Sequence, residues 1–146
     1  MGKIGNSRRK GQALVELALL LPILLLIVYG ALELGRAFFA IIAITNAARE
    51  GTRVYTFRPD VTTIANIVAS VNEEIGNTPL VDPSNIDSIV IECGDPLATV
   101  ASDADLAACA AEESIRITIT YTHEIIFNLV FPQPIPLTRS AEMMVP

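Results

Sequence analysis

The sequence predicts an α+β protein: a long N-terminal transmembrane α-helix that continues into a small exocytoplasmic domain with a second helix and a roughly three-stranded antiparallel sheet. Three observations predict it. An apolar run follows a basic leader, a later segment has apolar residues at helical spacing, and another alternates strictly. The chain has 146 residues, of which 51% are hydrophobic, and a mean hydropathy of +0.49. It therefore has room for one modest domain and is more apolar than an ordinary soluble domain.

The N-terminal segment has the composition of a membrane span. Four of the ten basic residues lie in the first ten positions, no acid precedes Glu16, and the run Leu17–Leu32 is uncharged. A helix from Gln12 to Glu33 would be about 32 Å long, close to the ~30 Å hydrocarbon thickness of a bilayer. The flanking cations predict a single pass through the cytoplasmic (inner) membrane, with the N-terminus inside and the C-terminal domain outside. A cleaved signal peptide is the competing interpretation, but no clear small-x-small site follows the run.

Helical character is predicted to continue beyond the membrane. Glu33 and Arg36 are three residues apart on one helical face and are predicted to form an ion pair at the outer interface. Pro59 disfavours helix at the residue before it, so the helix should end near Tyr55. Several apolar side chains of this outer half need cover from a folded domain: Phe38, Ile41, Ile42, Ile44 and Ala48. The predicted parts are a basic leader (1–11), the transmembrane part of the helix (12–36), its extramembrane part (37–56) and an exocytoplasmic αβ domain (57–146).

The predicted outer domain contains one helix and three strands. Apolar residues recur at helical spacing from Val61 to Ile75, with Asp60 as the candidate N-cap and Gly76 as the stop. The predicted strands are 86–93, 115–122, which alternates strictly, and 137–145; a proline-interrupted surface excursion, 125–136, precedes the third.

Two cysteines and a few acids are the remaining candidates for chemistry. Cys93 and Cys109 bracket a small-residue loop, and outside the cell they would form a disulfide, reduced thiols being the alternative. Five acids near this loop lack EF-hand spacing and predict a solvated loop, with weak cation binding as the alternative: Asp95, Asp103, Asp105, Glu112 and Glu113. The lone His123 cannot supply a metal site or a catalytic triad, so a structural role is expected, with no metal and no cofactor.

The junction RRKGQALVE resembles that of a type IV prepilin, with a basic leader that ends in Gly11, Gln12 as the first mature residue and Glu16 as the fifth. The longer string through the run Asn46, Ala47, Ala48, Arg49, Glu50, Gly51 resembles the TadE-like family of pilus-assembly pseudopilins. This resemblance implies a pilin-like fold and cleavage after Gly11 by a prepilin peptidase. It also implies membrane lipid, other pilin-like subunits and an inner-membrane assembly platform as partners, and possible incorporation into an extracellular filament.

The same residues have physical interpretations of their own. Gly11 leaves the backbone accessible to a protease, and cleavage would create an ammonium group on Gln12 about one helical turn from Glu16. Glu16 could then set the register of an assembly, or it could simply reach headgroups and water. The small residues between Asn46 and Gly51 predict close packing by the outer sheet, with docking of a partner as the alternative.

Other functional classes find little support in the sequence. A net charge of −6 and the absence of Trp disfavour nucleic acid as a partner. No phosphate loop, GxSxG or HExxH motif occurs, so an enzyme is not expected. Two hypotheses are left: a pilin-like minor subunit or pseudopilin of a tight-adherence pilus or related secretion system, and an uncleaved single-pass anchored binding or interaction protein.

Overall fold

The computed structural model describes residues 5–109, 111–126 and 133–146, with side chains from residue 11 onward. The chain divides into two compact units, Met1–Gly35 and Arg36–Pro146. The elements are α1 (Gly5–Phe57), α2 (Ile64–Gly76), a 3₁₀ turn (Pro83–Asn85), β1 (Ile86–Cys93), β2 (Ala98–Thr99), α3 (Asp103–Ala107), β3 (Ser114–His123) and β4 (Ile135–Met144). The predicted α+β class, with its long apolar helix and antiparallel sheet, is confirmed.

Helix α1 contains one proline, Pro22, and ends two residues before Pro59. In the first unit, every side chain from Gly11 to Leu32 is exposed, although most of them are apolar. Within the described part of the chain, Gly11–Phe57 is the one helix that is long and apolar enough to cross a membrane. The predicted span therefore has the length, composition and uncovered surface that a lipid-facing helix requires.

Helix α2 begins later than the sequence predicted. The Thr63 hydroxyl oxygen accepts a hydrogen bond from the backbone N–H of Asn66. The Asn66 side-chain oxygen accepts one from the backbone N–H of Thr63, which completes a capping box. Asp60 was therefore the wrong cap, and Val61 lies outside the helix with an exposed side chain. The buried face follows from this start and is formed by Ile67, Val71 and Ile75.

The sheet has four antiparallel strands in the order β2, β1, β3, β4, one strand more than predicted. The additional strand, β2, pairs only two residues with the end of β1. Two residues give no readable alternation, so this strand could not be found from periodicity. Strand β3 confirms the alternation, because every second residue from Ile115 to His123 is buried. Half of the predicted excursion, 127–132, lies outside the described residues, and its last two residues, Ile135 and Pro136, belong to strand β4 instead.

The core of the second unit includes one face of α1. That face is made mostly of small residues, and its buried members are Ala40, Ala43, Ile44, Ala47, Ala48, Gly51, Thr52 and Tyr55. At Gly51 the neighbours are so close that an added Cβ would lie 2.8 Å from Ile117 Cδ1 and 3.0 Å from Val71 Cγ2. The prediction that the folded domain covers these side chains was wrong for Phe38 and Ile42, which are 63% and 57% exposed.

Replacement of Gly51 by Leu should destabilise the outer unit. The new side chain would have to displace Ile117 and Val71, and overpacking of this kind costs about 1–3 kcal/mol. Chemical unfolding in detergent, followed by near-ultraviolet circular dichroism of the buried Tyr55 and Tyr121, measures the loss. The matched control is Gly30→Leu, because a Cβ at Gly30 meets nothing within 4 Å. Equal unfolding midpoints for Gly51→Leu and the unmodified chain would contradict the packing argument.

Candidate processing and assembly site

The predicted processing junction lies within α1. Gly11 has nothing within 4 Å of its would-be Cβ, and both Gln12 and Glu16 are exposed. One turn apart, Gln12 Nε2 donates a hydrogen bond to Glu16 Oε1 at 3.3 Å. The predicted register carboxylate thus already faces the residue whose amino group cleavage would release. Cleavage and the register role stay predictions.

The predicted interface pair lies where the two units meet in sequence. Arg36, the first residue of the second unit, donates from Nη2 to the backbone oxygen of Glu124 at 3.5 Å. Glu33 is half-buried. The bond to Glu124 was not predicted, because it joins residues 88 positions apart whose proximity depends on the fold. The pairing of Glu33 with Arg36 stays a prediction.

The Asn46–Gly51 run has two faces. Ala47, Ala48 and Gly51 are buried in the core, whereas Asn46 and Arg49 are exposed. The run thus contributes to packing within the chain and also presents a polar face to solvent. Docking of a partner on that exposed face stays a prediction.

An ion pair continues the polar face of α1 toward its C-terminal end. Arg53 donates from Nε to Glu50 Oε2 at 2.7 Å, and its Nη2 donates to the other carboxylate oxygen. These hydrogen bonds from Arg53 hold the pKa of the Glu50 carboxyl below its usual value, with the positive charge of Arg53 acting in the same direction. Arg53 also lies over the Phe57 ring, 5.5 Å from its centroid. This end of α1 is therefore charged and ordered by local contacts.

The loop between β1 and β3 is tied to the rest of the outer unit at several points. A disulfide joins Cys93 to Cys109, with the two Cα atoms 5.9 Å apart, so the predicted bridge is present. Tyr55 Oη donates to the Leu106 backbone oxygen at 2.8 Å. Burial raises the pKa of the Tyr55 hydroxyl, and the charges of Asp60 and Glu113 raise it further. The buried phenol is therefore a donor that links α1 to the loop.

Asp103 and Asp105, among the five loop acids, accept hydrogen bonds that hold the loop in this fold. Asp103 Oδ1 accepts from the Ile64 amide at 2.8 Å, which satisfies a free N–H at the start of α2. Asp105 Oδ2 accepts from Ser102 Oγ at 2.8 Å, and the Ser102 hydroxyl caps α3. Hydrogen bonding by Ser102, together with the Ala101 amide, lowers the pKa of Asp105. The loop is thus less purely solvated than the sequence predicted.

The described residues contain one group of three side chains whose ligand atoms lie within 4.8 Å of one another: Cys93, Cys109 and Glu113. The two sulfur atoms are bonded to each other, so they do not present the thiolates that a metal would bind. His123 is 4% exposed and lies on the core side of β3. This placement agrees with the structural role predicted for the His123 side chain.

Several structural residues were missed because they pair across distant parts of the chain. Arg116 and Glu142 face each other on β3 and β4, where Arg116 Nη2 lies 2.6 Å from Glu142 Oε2. The Tyr55 and Asp103 bonds are likewise long-range. Only the Thr63 and Asn66 capping box had a local signature, an N-cap residue followed three positions later by a polar partner.

A long apolar N-terminal helix, a second helix and a four-stranded antiparallel sheet define an architecture consistent with the pilin-like fold. A comparison with protein families supports this class over part of the chain. The sequence model of the family described as TadE-like protein matches residues 11–53, which confirms the predicted resemblance over that segment. The matched segment starts at Gly11 and ends four residues before the end of α1. No curated protein and no solved structure matched the chain.

Removal of the disulfide should destabilise the outer unit. The bridge spans a sequence separation of 16, and closing a loop of that length contributes up to about 3 kcal/mol. The double variant Cys93→Ser, Cys109→Ser should lose this free energy of unfolding, as measured by denaturant titration. Reduction should bring the unmodified protein to the same midpoint and leave the variant unchanged. Alkylation of two free thiols in protein isolated without reductant would contradict the bridge.

Proposed function

We propose that this chain is a pilin-like minor subunit or pseudopilin that takes part in the assembly of a tight-adherence pilus or related secretion system. The observation that carries the proposal is the match of residues 11–53 to the TadE-like family, which supports a role in tight-adherence pilus-related systems. The matched segment contains the Gly11 junction, Glu16 and the small-residue run of α1. The family is one of pilus-assembly structural proteins, so the chain is proposed as a structural component and as the substrate of a peptidase rather than as an enzyme.

The uncovered surface of the first unit supports membrane insertion. From Gly11 to Leu32 the helix exposes apolar side chains all round, which water would not favour and lipid or neighbouring apolar helices would. In the proposed topology, residues 1–11 are a cytoplasmic leader and 12–36 cross the inner membrane. The extramembrane helix, 37–56, and the αβ domain, 57–146, lie outside. The cations before the span support this orientation.

Assembly partners follow from the same surface. Apolar helix faces with small residues such as Gly30 and Gly35, where a Cβ would meet nothing within 4 Å, leave room for close approach of another helix. We therefore propose other pilin-like subunits and the inner-membrane platform as partners. The second candidate, an uncleaved anchored interaction protein, shares the span and differs in keeping the leader.

Processing predicts a defined mass. In cells with an active prepilin peptidase, the mature chain should begin at Gln12, because the small Gly11 allows the backbone to enter the protease cleft. Intact mass and N-terminal sequencing measure this. Gly11→Leu should leave the chain full length, whereas the matched control Gly5→Leu, within the leader, should be processed. A full-length unmodified chain in such cells would favour the uncleaved anchor.

Glu16 should be needed for co-assembly. Glu16→Gln keeps the size of the side chain and removes its charge, so the bond to a neighbouring or own ammonium group is weakened. Hydrogen bonds to charged groups contribute about 1.5–3 kcal/mol, so capture of partner subunits should fall about tenfold or more. Cross-linking and co-purification in detergent measure capture, with Glu33→Gln as the matched control. Equal capture by Glu16→Gln and the unmodified chain would exclude the register role.

A further inference from the structure

The outer unit exposes a group of large apolar side chains that neither its core nor the proposed assembly surface uses. Phe38 is 63% exposed and Phe39 53%, near the start of the α1 segment that belongs to this unit. Ile126 is 61% exposed after the end of β3, and Ile135 is 38% exposed at the start of β4. We name these four residues the apolar rim.

Contacts within the outer unit place the two parts of the rim at the same end of it. Arg36 donates to the Glu124 backbone oxygen, so the residue after the end of β3 lies beside the first turn of this helical segment. Across the sheet, His123 at the end of β3 pairs with Ile135 at the start of β4. Phe38 and Phe39 follow Arg36 by about 3–5 Å along the helix axis.

That end of the unit adjoins the membrane in the proposed topology. Arg36 is the first cation after the uncharged run Leu17–Leu32 and would lie at the outer interface. The headgroup region adds roughly 5–7 Å beyond the hydrocarbon on each side of a bilayer. The rim residues on the helix therefore fall within the headgroup layer, and Arg36 holds Glu124, two residues before Ile126, at the same end of the unit.

We propose that the apolar rim is a second lipid-contacting surface, by which the outer domain rests on the membrane that its helix spans. The inference rests on the proposed membrane anchoring and adds a contact made by the folded domain. Lipid is the occupant because Phe38 and Phe39 follow the exposed apolar run Leu17–Leu32 by only six and seven residues on the same helix. Aromatic and aliphatic side chains inserted at the headgroup boundary anchor peripheral segments in the same way.

The absence of Trp from the chain makes the contact measurable. Ile126→Trp and, independently, Phe39→Trp would each carry a single indole on an exposed rim position. The full chain is reconstituted into phosphatidylcholine vesicles with and without bromine on the acyl chains. Both variants should emit at shorter wavelength than an indole in water and lose most of their emission in brominated lipid. The matched aqueous control is Val61→Trp, a 67% exposed apolar position just beyond the far end of α1, which should keep its emission because Phe57 lies about 28 Å along the helix from Phe38.

A third indole separates this proposal from the anchoring on which it rests. Leu25→Trp lies near the middle of the proposed span and should be quenched by brominated lipid if the helix crosses the bilayer. Quenching of Leu25→Trp without quenching of either rim variant would overturn the rim proposal and leave the anchoring intact. This conclusion holds both when an aqueous quencher reaches the rim indoles and when the protein shields them. Loss of quenching at Leu25→Trp as well would overturn the anchoring itself.

Discussion

The close approach of α1 to the folded domain at Gly51 is the constraint on which the outer unit depends. Ile117 of β3 and Val71 of α2 both occupy the space that a side chain at Gly51 would need. A sheet with one apolar face must bury it against another element, and here the small-residue face of α1 does so. Because β3 is the central partner of both β1 and β4, its position on the helix fixes where the other strands lie. With the strands in place, the hydrogen bonds by which Tyr55 and Asp103 connect the loop to the two helices have their partners within reach.

This constraint divides the surface of α1 into parts with different roles. Before Arg36 no side chain from Gly11 to Leu32 is buried, whereas after it one face belongs to the core. Surface on the outer half is therefore available only on the opposite side, where Asn46 and Arg49 are exposed. The first unit leaves its whole apolar surface open to other helices, whereas the exposed side of the second unit is apolar near its start, at Phe38 and Phe39, and polar from Asn46 to Arg53. The family match spans both parts, so its small residues reflect packing within the chain as well as any assembly.

Local patterns predicted most of the fold because they depend on a few neighbouring residues. The strict alternation from Ile115 onward and the break at Pro59 each depend on local backbone geometry, and the structure bears out both. The predicted cap of α2 was wrong because Asp60 and Thr63 are both good caps, and the choice depends on the bond that the Asn66 side chain accepts from the Thr63 N–H. The strand β2 and the Arg36 to Glu124 bond could not be predicted, since each needs the distance between segments far apart in sequence. Of the site, the spacing of Gly11 and Glu16 predicts cleavage and a register role, and both stay predictions because the surroundings of these residues in an assembly are not contained in one chain.

The spacing of Gln12 and Glu16 on the helix explains how the charge of the Glu16 carboxylate can be compensated near lipid. A charged side chain costs about 2.5–3.5 kcal/mol at the centre of a bilayer and less toward its edge, and Glu16 lies only about 6 Å along the helix from Gln12. In the unprocessed chain the Gln12 amide donates to Glu16 at 3.3 Å, so the carboxylate has a neutral partner. Cleavage after Gly11 would add an ammonium group at the same residue, and its positive charge would attract the carboxylate in addition to any hydrogen bond. The carboxylate would thus be compensated at both stages. Under the proposed processing, the stronger partner would appear only once the leader is removed.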